Sequence, residues 1–243
     1  MRILVTGSTD GLGRTAVETL LATGHDVVAH ARTADRAAAL DALTARGAGL
    51  VVGDFDDREA VVRIAAELTE QDPLDAIIHN AGVHTGRAVI PVNVIAPYLL
   101  TALIDGPRRH IYLSSGSHYG GHPVLDGVDW RGTTAGSYGD SKLFVTTLVA
   151  ALARLRPDLL VHAVDPGWVP TRMGGPNAPD DLDLGHETQI WLATSDDPGV
   201  LASGGYWYHR QRREPHGAVH DEHFQDRLLR TLAGETGVAL PGR

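Results

Sequence analysis

Six short runs rich in β-branched and other apolar residues recur along the chain: Arg2 to Thr6, His25 to Arg32, Leu50 to Asp54, Leu74 to His79, Arg109 to Leu113 and Leu159 to Val164. Each ends at a Gly, Asp, Asn or Ser or at a charged residue, and a stretch of helical periodicity follows it. Parallel strands need a crossover, so this alternation predicts a parallel sheet with helices on both faces. The fourth run is apolar almost throughout, as a strand buried on both faces requires. Tyr206 to Tyr208 reads as the last strand, which gives six or seven in all. The expectation is one doubly wound α/β domain over residues 1–243, without linker, repeat or low-complexity tract.

Helices are expected at Ala16 to Leu21, Ala34 to Arg46, from a capping box at Asp56-Asp57-Arg58-Glu59 to about Gln71, Val92 to Ile104 with an interruption at Pro97, Tyr138 to Leu155, Glu187 to Ala193 and near His223 to Leu232. With 43% apolar residues in 243, the chain can bury a full core. It has no Cys, which removes disulfides and thiolate metal sites. Met1 runs directly into the first strand, and no apolar run approaches the roughly 20 residues that span a bilayer, so a soluble cytoplasmic protein is expected. A formal net charge of −9 speaks against a nucleic-acid partner.

In open parallel sheets ligands gather at the carboxyl ends of the strands. The polar residues that stand out lie there. Gly7, Gly11 and Gly13 join the first strand to the first helix, where the backbone can approach a pyrophosphate and helical N–H groups face it; a tight turn without ligand reads equally well, and the spacing departs from G-x-G-x-x-G. Arg32 ends the second strand, where an acid would hold a ribose 2′-OH and an Arg would pair with a 2′-phosphate. Asp54 ends the third as a turn residue or an adenine contact, Asn80-Ala81-Gly82 ends the fourth, and Ser114-Ser115 the fifth.

Tyr138 and Lys142 open a helix four residues apart, hence on one face. Bringing a phenol from pH ~10 to about 7 takes roughly 4 kcal/mol, and a cation at ~4 Å supplies about that much at an effective dielectric of ~20. The plainer reading is a surface Tyr packed along a Lys stem. Among thirteen histidines, His216, His220 and His223 are spaced for one helical face, but Pro215 and Gly217 interrupt it, and no metal is expected. Ser115, His118 and Asp126 have the residue types of a hydrolase triad, but Ser115 lacks the G-x-S-x-G elbow.

Taken together, Thr6-Gly7-x-x-x-Gly11-x-Gly13, Asn80-Ala81-Gly82 and Tyr138-x-x-x-Lys142 resemble the motifs of the short-chain dehydrogenase/reductase family, in its order and over nearly the whole chain. The resemblance implies a single Rossmann-type domain. It implies Asn93, Ser115, Tyr138 and Lys142 as catalytic residues, with Tyr138 the acid in reduction, Ser115 a donor to the substrate oxygen, and Asn93 the holder of a relay water. It places the cofactor on Gly7, Thr9, Gly11, Leu12, Gly13, Arg32, Asp54, Phe55, Asn80, Ala81, Gly82, Tyr138, Lys142, Pro166, Gly167, Val169 and Thr171. Ser115, His118, Tyr119, Trp168 and Met173 are the expected substrate contacts, a partly aromatic and largely apolar set. Ser115-x-x-His118 and the 23 positions from Ser115 to Tyr138 are closest to the retinol-dehydrogenase-like branch and its bacterial relatives. Only ten residues separate Gly82 from Asn93, fewer than in many members.

The implied activity is hydride transfer between NADP(H), with NAD possible, and a carbonyl or alcohol group of a small molecule. Arg14 is expected to reinforce Arg32 toward NADP. The short segment from Thr171 to Gly185 implies an open site and broad specificity. The stripe Phe144, Leu148, Leu152 and Leu155 can cover the sheet or pair with another copy, and a homo-oligomer, dimer or tetramer, is expected. The rival reading is a catalytically silent nucleotide-binding regulator of the same fold.

Overall fold

The computed structural model describes residues 1–240. Its strands β1 (Arg2–Val5), β2 (Asp26–Ala31), β3 (Gly49–Val52), β4 (Ala76–His79), β5 (Arg109–Leu113), β6 (Leu160–Asp165), β7 (Gly205–Tyr208) and β8 (Gln211–Arg213) form one sheet. The order is β3-β2-β1-β4-β5-β6-β7-β8. Neighbours pair in parallel except β7 with β8. The direction of winding reverses between β1 and β4, where a crevice opens above the strand ends. The eighth strand is unexpected from sequence, because Gln-Arg-Arg is exposed on this edge and carries no apolar alternation.

Two cores sandwich the sheet. Ile3, Val5, Val27 and Ile78 face α1 (Gly11–Ala22) and α7 (Leu182–Thr194). Leu4, Val28 and Ile77 point the other way, toward α4 (Arg58–Thr69), α5 (Ala96–Leu103) and α6 (Tyr138–Leu155). This alternation is the period-two signature of strands. Between α1 and α4 the expected long helix breaks into α2 (Ala34–Ala37), a 3₁₀ turn and α3 (Asp41–Thr44). A further short helix, α8 (Pro198–Leu201), precedes β7. Ahead of α5, Pro91–Ile95 form a π turn. Pro97 has no N–H, so the regular helical bond to the Asn93 carbonyl cannot form, and Pro sits harmlessly in the first turn of α5.

The apolar stripe of α6 is covered within the chain. Phe144, Leu148 and Leu152 are buried, and α9 (Glu222–Thr236) packs Phe224 toward Phe144, with ring centroids 6.3 Å apart. Leu155 remains 41% exposed. Of the two uses open to the stripe, covering the sheet or pairing with a second copy, Phe144, Leu148 and Leu152 therefore take the first. No helix among the described residues is long and apolar enough to cross a membrane.

Candidate active site

The turn after β1 is built around glycine. A Cβ on Gly13 would lie 2.3 Å from the Gly7 carbonyl oxygen and 2.4 Å from Asn80 Nδ2. No other residue can bring α1 this close to the turn. Asn80 Nδ2 donates to the Thr6 carbonyl at 2.9 Å, and the Ala81 N–H to Thr6 Oγ1 at 2.9 Å, so the end of β4 is stitched to the end of β1. The first turn of α1 has no acidic residue and no side-chain cap, which leaves N–H groups facing the crevice. That arrangement suits a pyrophosphate.

Beneath this turn lies His30, which sequence reasoning passed over. The Gly7 N–H donates to its Nδ1 at 3.0 Å, and its Nε2 reaches the Gly53 carbonyl at 2.8 Å. Burial pushes its pKa down to about 4, so the ring is a neutral strut between two strand ends. Phe55 stacks on it at 4.1 Å and is 4% exposed. Its side chain is therefore part of the floor beneath the turn. Val169 is also buried, which limits any contact of its side chain.

At the end of β2, Arg32 is exposed, with its Nε 4.0 Å from Asp54 Oδ2. Arg36, in α2, donates to Thr9 Oγ1 at 2.8 Å and Asp10 Oδ2 at 2.7 Å, so it is Arg36 that reaches the glycine turn. Arg14 bonds Glu18 and the Ala39 carbonyl. Its i,i+4 pairing with Glu18 was visible in the sequence.

Across the crevice, Ser115 neighbours the Tyr138 phenol. Burial pushes the phenol above its ordinary value, the nearby Ser115 hydroxyl pulls it down, and Asp165 pushes it up further. Lys142 is buried, and its Nζ donates to the Leu113 carbonyl at 2.6 Å. It lies over the Tyr138 ring, 5.5 Å from the centroid. The ammonium thus meets the face of the ring, whereas the sequence had placed it beside the phenol oxygen. Burial lowers its pKa to about 8, against the opposing pull of Asp165.

Asn93 is buried, and its side chain is fully engaged. Its Oδ1 accepts from Val83 N–H, and its Nδ2 bonds the Val83 carbonyl and Ser141 Oγ, at 2.9 to 3.0 Å. The next residue, His84, packs its ring on Tyr138 at 4.6 Å. No local pattern marks His84; only the fold brings it there. Asp165, at the end of β6, accepts from Tyr206 hydroxyl at 3.1 Å and Gly167 N–H at 3.0 Å.

The loop after β6 is not open. Asp180 takes the Trp168 N–H at 2.6 Å and returns its own N–H to the Trp168 carbonyl at 3.0 Å. Thr171 lies against Gly11, where a Cβ would stand 3.1 Å from Thr Cγ2. The segment thus packs on the glycine turn through Thr171. Trp168, Met173 and Tyr119 are half exposed or more, whereas His118 is completely buried. His118 therefore lies behind the site and not on its substrate face.

A family model for short chain dehydrogenase matches residues 1–103. The chain is 36% identical to an uncharacterized oxidoreductase of Emericella nidulans over 100% of this chain and 99% of that protein. It is 33% identical to a short-chain dehydrogenase of Gibberella zeae, over 99% of this chain and 98% of the relative. The Pseudomonas aeruginosa RhlG/NADP active-site complex has the same fold, with a TM-score of 0.68, 22% identity, and 85% of this chain and 93% of that one covered. Full-length similarity at this level joins the strand-end glycine turn and the Ser115, Tyr138 and Lys142 cluster: the chain belongs to the short-chain dehydrogenase family and is an oxidoreductase.

Proposed function

We propose that the protein reduces a carbonyl group on a small, partly apolar molecule with NADPH, or runs the reverse oxidation. The observation that carries this reading is the placement of Ser115 beside Tyr138, with buried Lys142 over the phenol ring, across the crevice from an uncapped helix start. A bound nicotinamide supplies or takes up the hydride. Ser115 orients the substrate oxygen, and Tyr138 gives it a proton in reduction or removes one in oxidation. The elevated phenol pKa keeps Tyr138 protonated in the cofactor-free protein, the state an acid needs. Lys142 holds its ammonium for the cofactor's ribose. Because the Asn93 side chain is committed to Val83 and Ser141, we assign the relay water to its main-chain carbonyl, which Pro97 has deprived of its regular helical donor.

The glycine turn, the Asn80 stitch and the first turn of α1 fit a dinucleotide, with Asp54 and Gly82 along its path and Pro166, Gly167 and Thr171 over it. Exposed Arg32 together with Arg36 supports NADP over NAD, as does the NADP in the RhlG complex. Trp168, Met173 and Tyr119 offer apolar and aromatic surface to the substrate. The test is loss of reduced-nicotinamide absorbance with a panel of aldehydes and ketones. Turnover supports the proposal; tight NADPH binding with no turnover of any member favours a silent nucleotide-binding regulator.

A further inference from the structure

The loop that carries Ser115 is fastened from behind by a buried imidazole. His118 Nδ1 stands 2.8 Å from the Ser115 carbonyl oxygen, which can only accept, so Nδ1 carries the proton. Its Nε2 stands 3.0 Å from the His216 main-chain N–H, which can only donate, so Nε2 is bare. Two contacts of opposite polarity therefore select one neutral tautomer.

The ring is held between Tyr119 and Tyr206, at centroid distances of 4.0 and 4.6 Å. The Tyr119 hydroxyl donates to the Glu214 carbonyl at 2.5 Å, a second bond from the same loop to the segment after β8. Tyr206 in turn donates to Asp165, which accepts from Gly167. One aromatic cluster thus ties the loop after β5 to the loop after β6. The loop needs such an anchor, because Gly116, Gly120 and Gly121 flank His118 and stiffen nothing themselves.

We infer that His118, as its Nδ1–H tautomer, is a positioning residue that sets the place of Ser115, with the segment Glu214 to His216 as its anchor. The inference rests on Ser115 being the substrate-facing hydroxyl. A displacement near 1 Å of such a group can cost about a hundredfold in rate. His118 touches neither substrate nor cofactor in this arrangement and acts through the serine.

The first test does not depend on turnover: imidazole ¹⁵N NMR of the labelled, cofactor-free full chain. The expected spectrum contains a neutral Nδ1–H histidine with an acceptor Nε2 that disappears in His118→Phe, whereas the signal of His186, whose Nδ1 faces the Leu182 carbonyl, stays. An Nε2–H tautomer, or an imidazolium at about pH 7, overturns the inference even if no carbonyl compound is ever turned over. The second test uses NADPH and whichever panel compound the wild type reduces. His118→Phe is expected to lower kcat about tenfold or more while NADPH Kd stays within about twofold. His118→Asn, whose amide can replace Nδ1 as donor to Ser115, should recover part of the loss. Wild-type kcat in the Phe variant, or an Asn variant no faster than Phe, overturns the assignment.

Discussion

Asn93 closes a two-bond ring on the peptide of Val83, accepting from its N–H and donating to its carbonyl, each at 2.9 Å. The clamp fixes the backbone immediately before His84, whose ring rests on Tyr138. Asn93→Ala removes partners from two peptide groups and from Ser141 at a buried site, at about 1–3 kcal/mol for each group left unsatisfied. Water entering the gap would recover part of this, so the expected loss is roughly 2–4 kcal/mol in urea unfolding. Reductase kcat should fall as well, since His84 is freed. An unchanged urea midpoint would show that the ring contributes little.

Lys142 gives the site a basic limit. Burial lowers its pKa to about 8, from an ordinary value near 10.4. The folded protein therefore loses this proton at lower pH than the unfolded chain does. The cost of burying the charge is absent at high pH, grows as pH falls toward about 8, and is constant below. For catalysis, kcat/KM of reduction reports the free enzyme. It should decline above about pH 8 as the ammonium is lost. Lys142→Arg keeps a permanent charge, so whatever rate it retains should lack this limb. A limb that persists in the Arg variant assigns the titration to another group.

Much of the fold was legible because its signals are local. A β-branched run, a glycine break and a helical stripe all fall within one βα unit, and the structure follows them from β1 to β6. The glycine turn and the Tyr138 and Lys142 spacing are local in the same sense. What was illegible depends on partners far along the chain. His30 meets Gly7 and Gly53, His84 meets Tyr138, and Asp165 meets Tyr206. A pattern within one segment cannot show such pairings. Arg36 and Arg14 make the point most directly. Each is an arginine near the cofactor turn, and only the direction of the helix that carries it decides which one reaches Thr9 and Asp10.

The buried histidines predict acid lability. His30, His110 and His162 have pKa values pushed down to about 4 by burial, and His79 lies well below its ordinary value for the same reason. His162 shows why protonation is resisted: its Nδ1 accepts from Trp207 Nε1 at 3.1 Å, and its Nε2 faces the Val200 carbonyl at 2.8 Å. The unfolded chain takes up these protons near pH 6.5 and the folded chain only near 4. Stability is therefore complete above about pH 6.5 and is lost as pH falls from there toward 4. One unit below the unfolded value each site costs about 1.4 kcal/mol, so four amount to roughly 5.6 kcal/mol at pH ~5.5. Urea midpoints at pH 7.5 and 5.5 measure this directly. Equal midpoints would mean that the rings are charged or hydrated in the folded state.

The proposed preference for NADPH turns on two arginines four residues apart. No carboxylate stands at the end of β2, where it would repel a 2′-phosphate, because Ala31 and Arg32 occupy that place. Arg32 is the freer of the two: its side chain is 64% exposed and its nearest acid, on Asp54, is 4.0 Å away. Arg36 is already paired with Asp10, an acid that Arg172 also approaches at 3.2 Å. A charge-assisted bond from guanidinium to phosphate contributes about 1.5–3 kcal/mol when well formed and less when exposed. NADPH should therefore be preferred over NADH by about tenfold to a hundredfold, equivalent to ~1.4 to 2.8 kcal/mol. Arg32→Ala should remove most of that preference and leave NADH kinetics nearly unchanged. Arg36→Ala should weaken both cofactors, since it also releases Thr9 and Asp10 in the turn that receives the pyrophosphate. The preference should shrink with added salt in the wild type and respond less in Arg32→Ala, as screening acts on an exposed pair. Measuring kcat/KM for both cofactors in the three proteins at two ionic strengths separates these effects. Equal use of NADH and NADPH by the wild type would mean that neither arginine reads the phosphate.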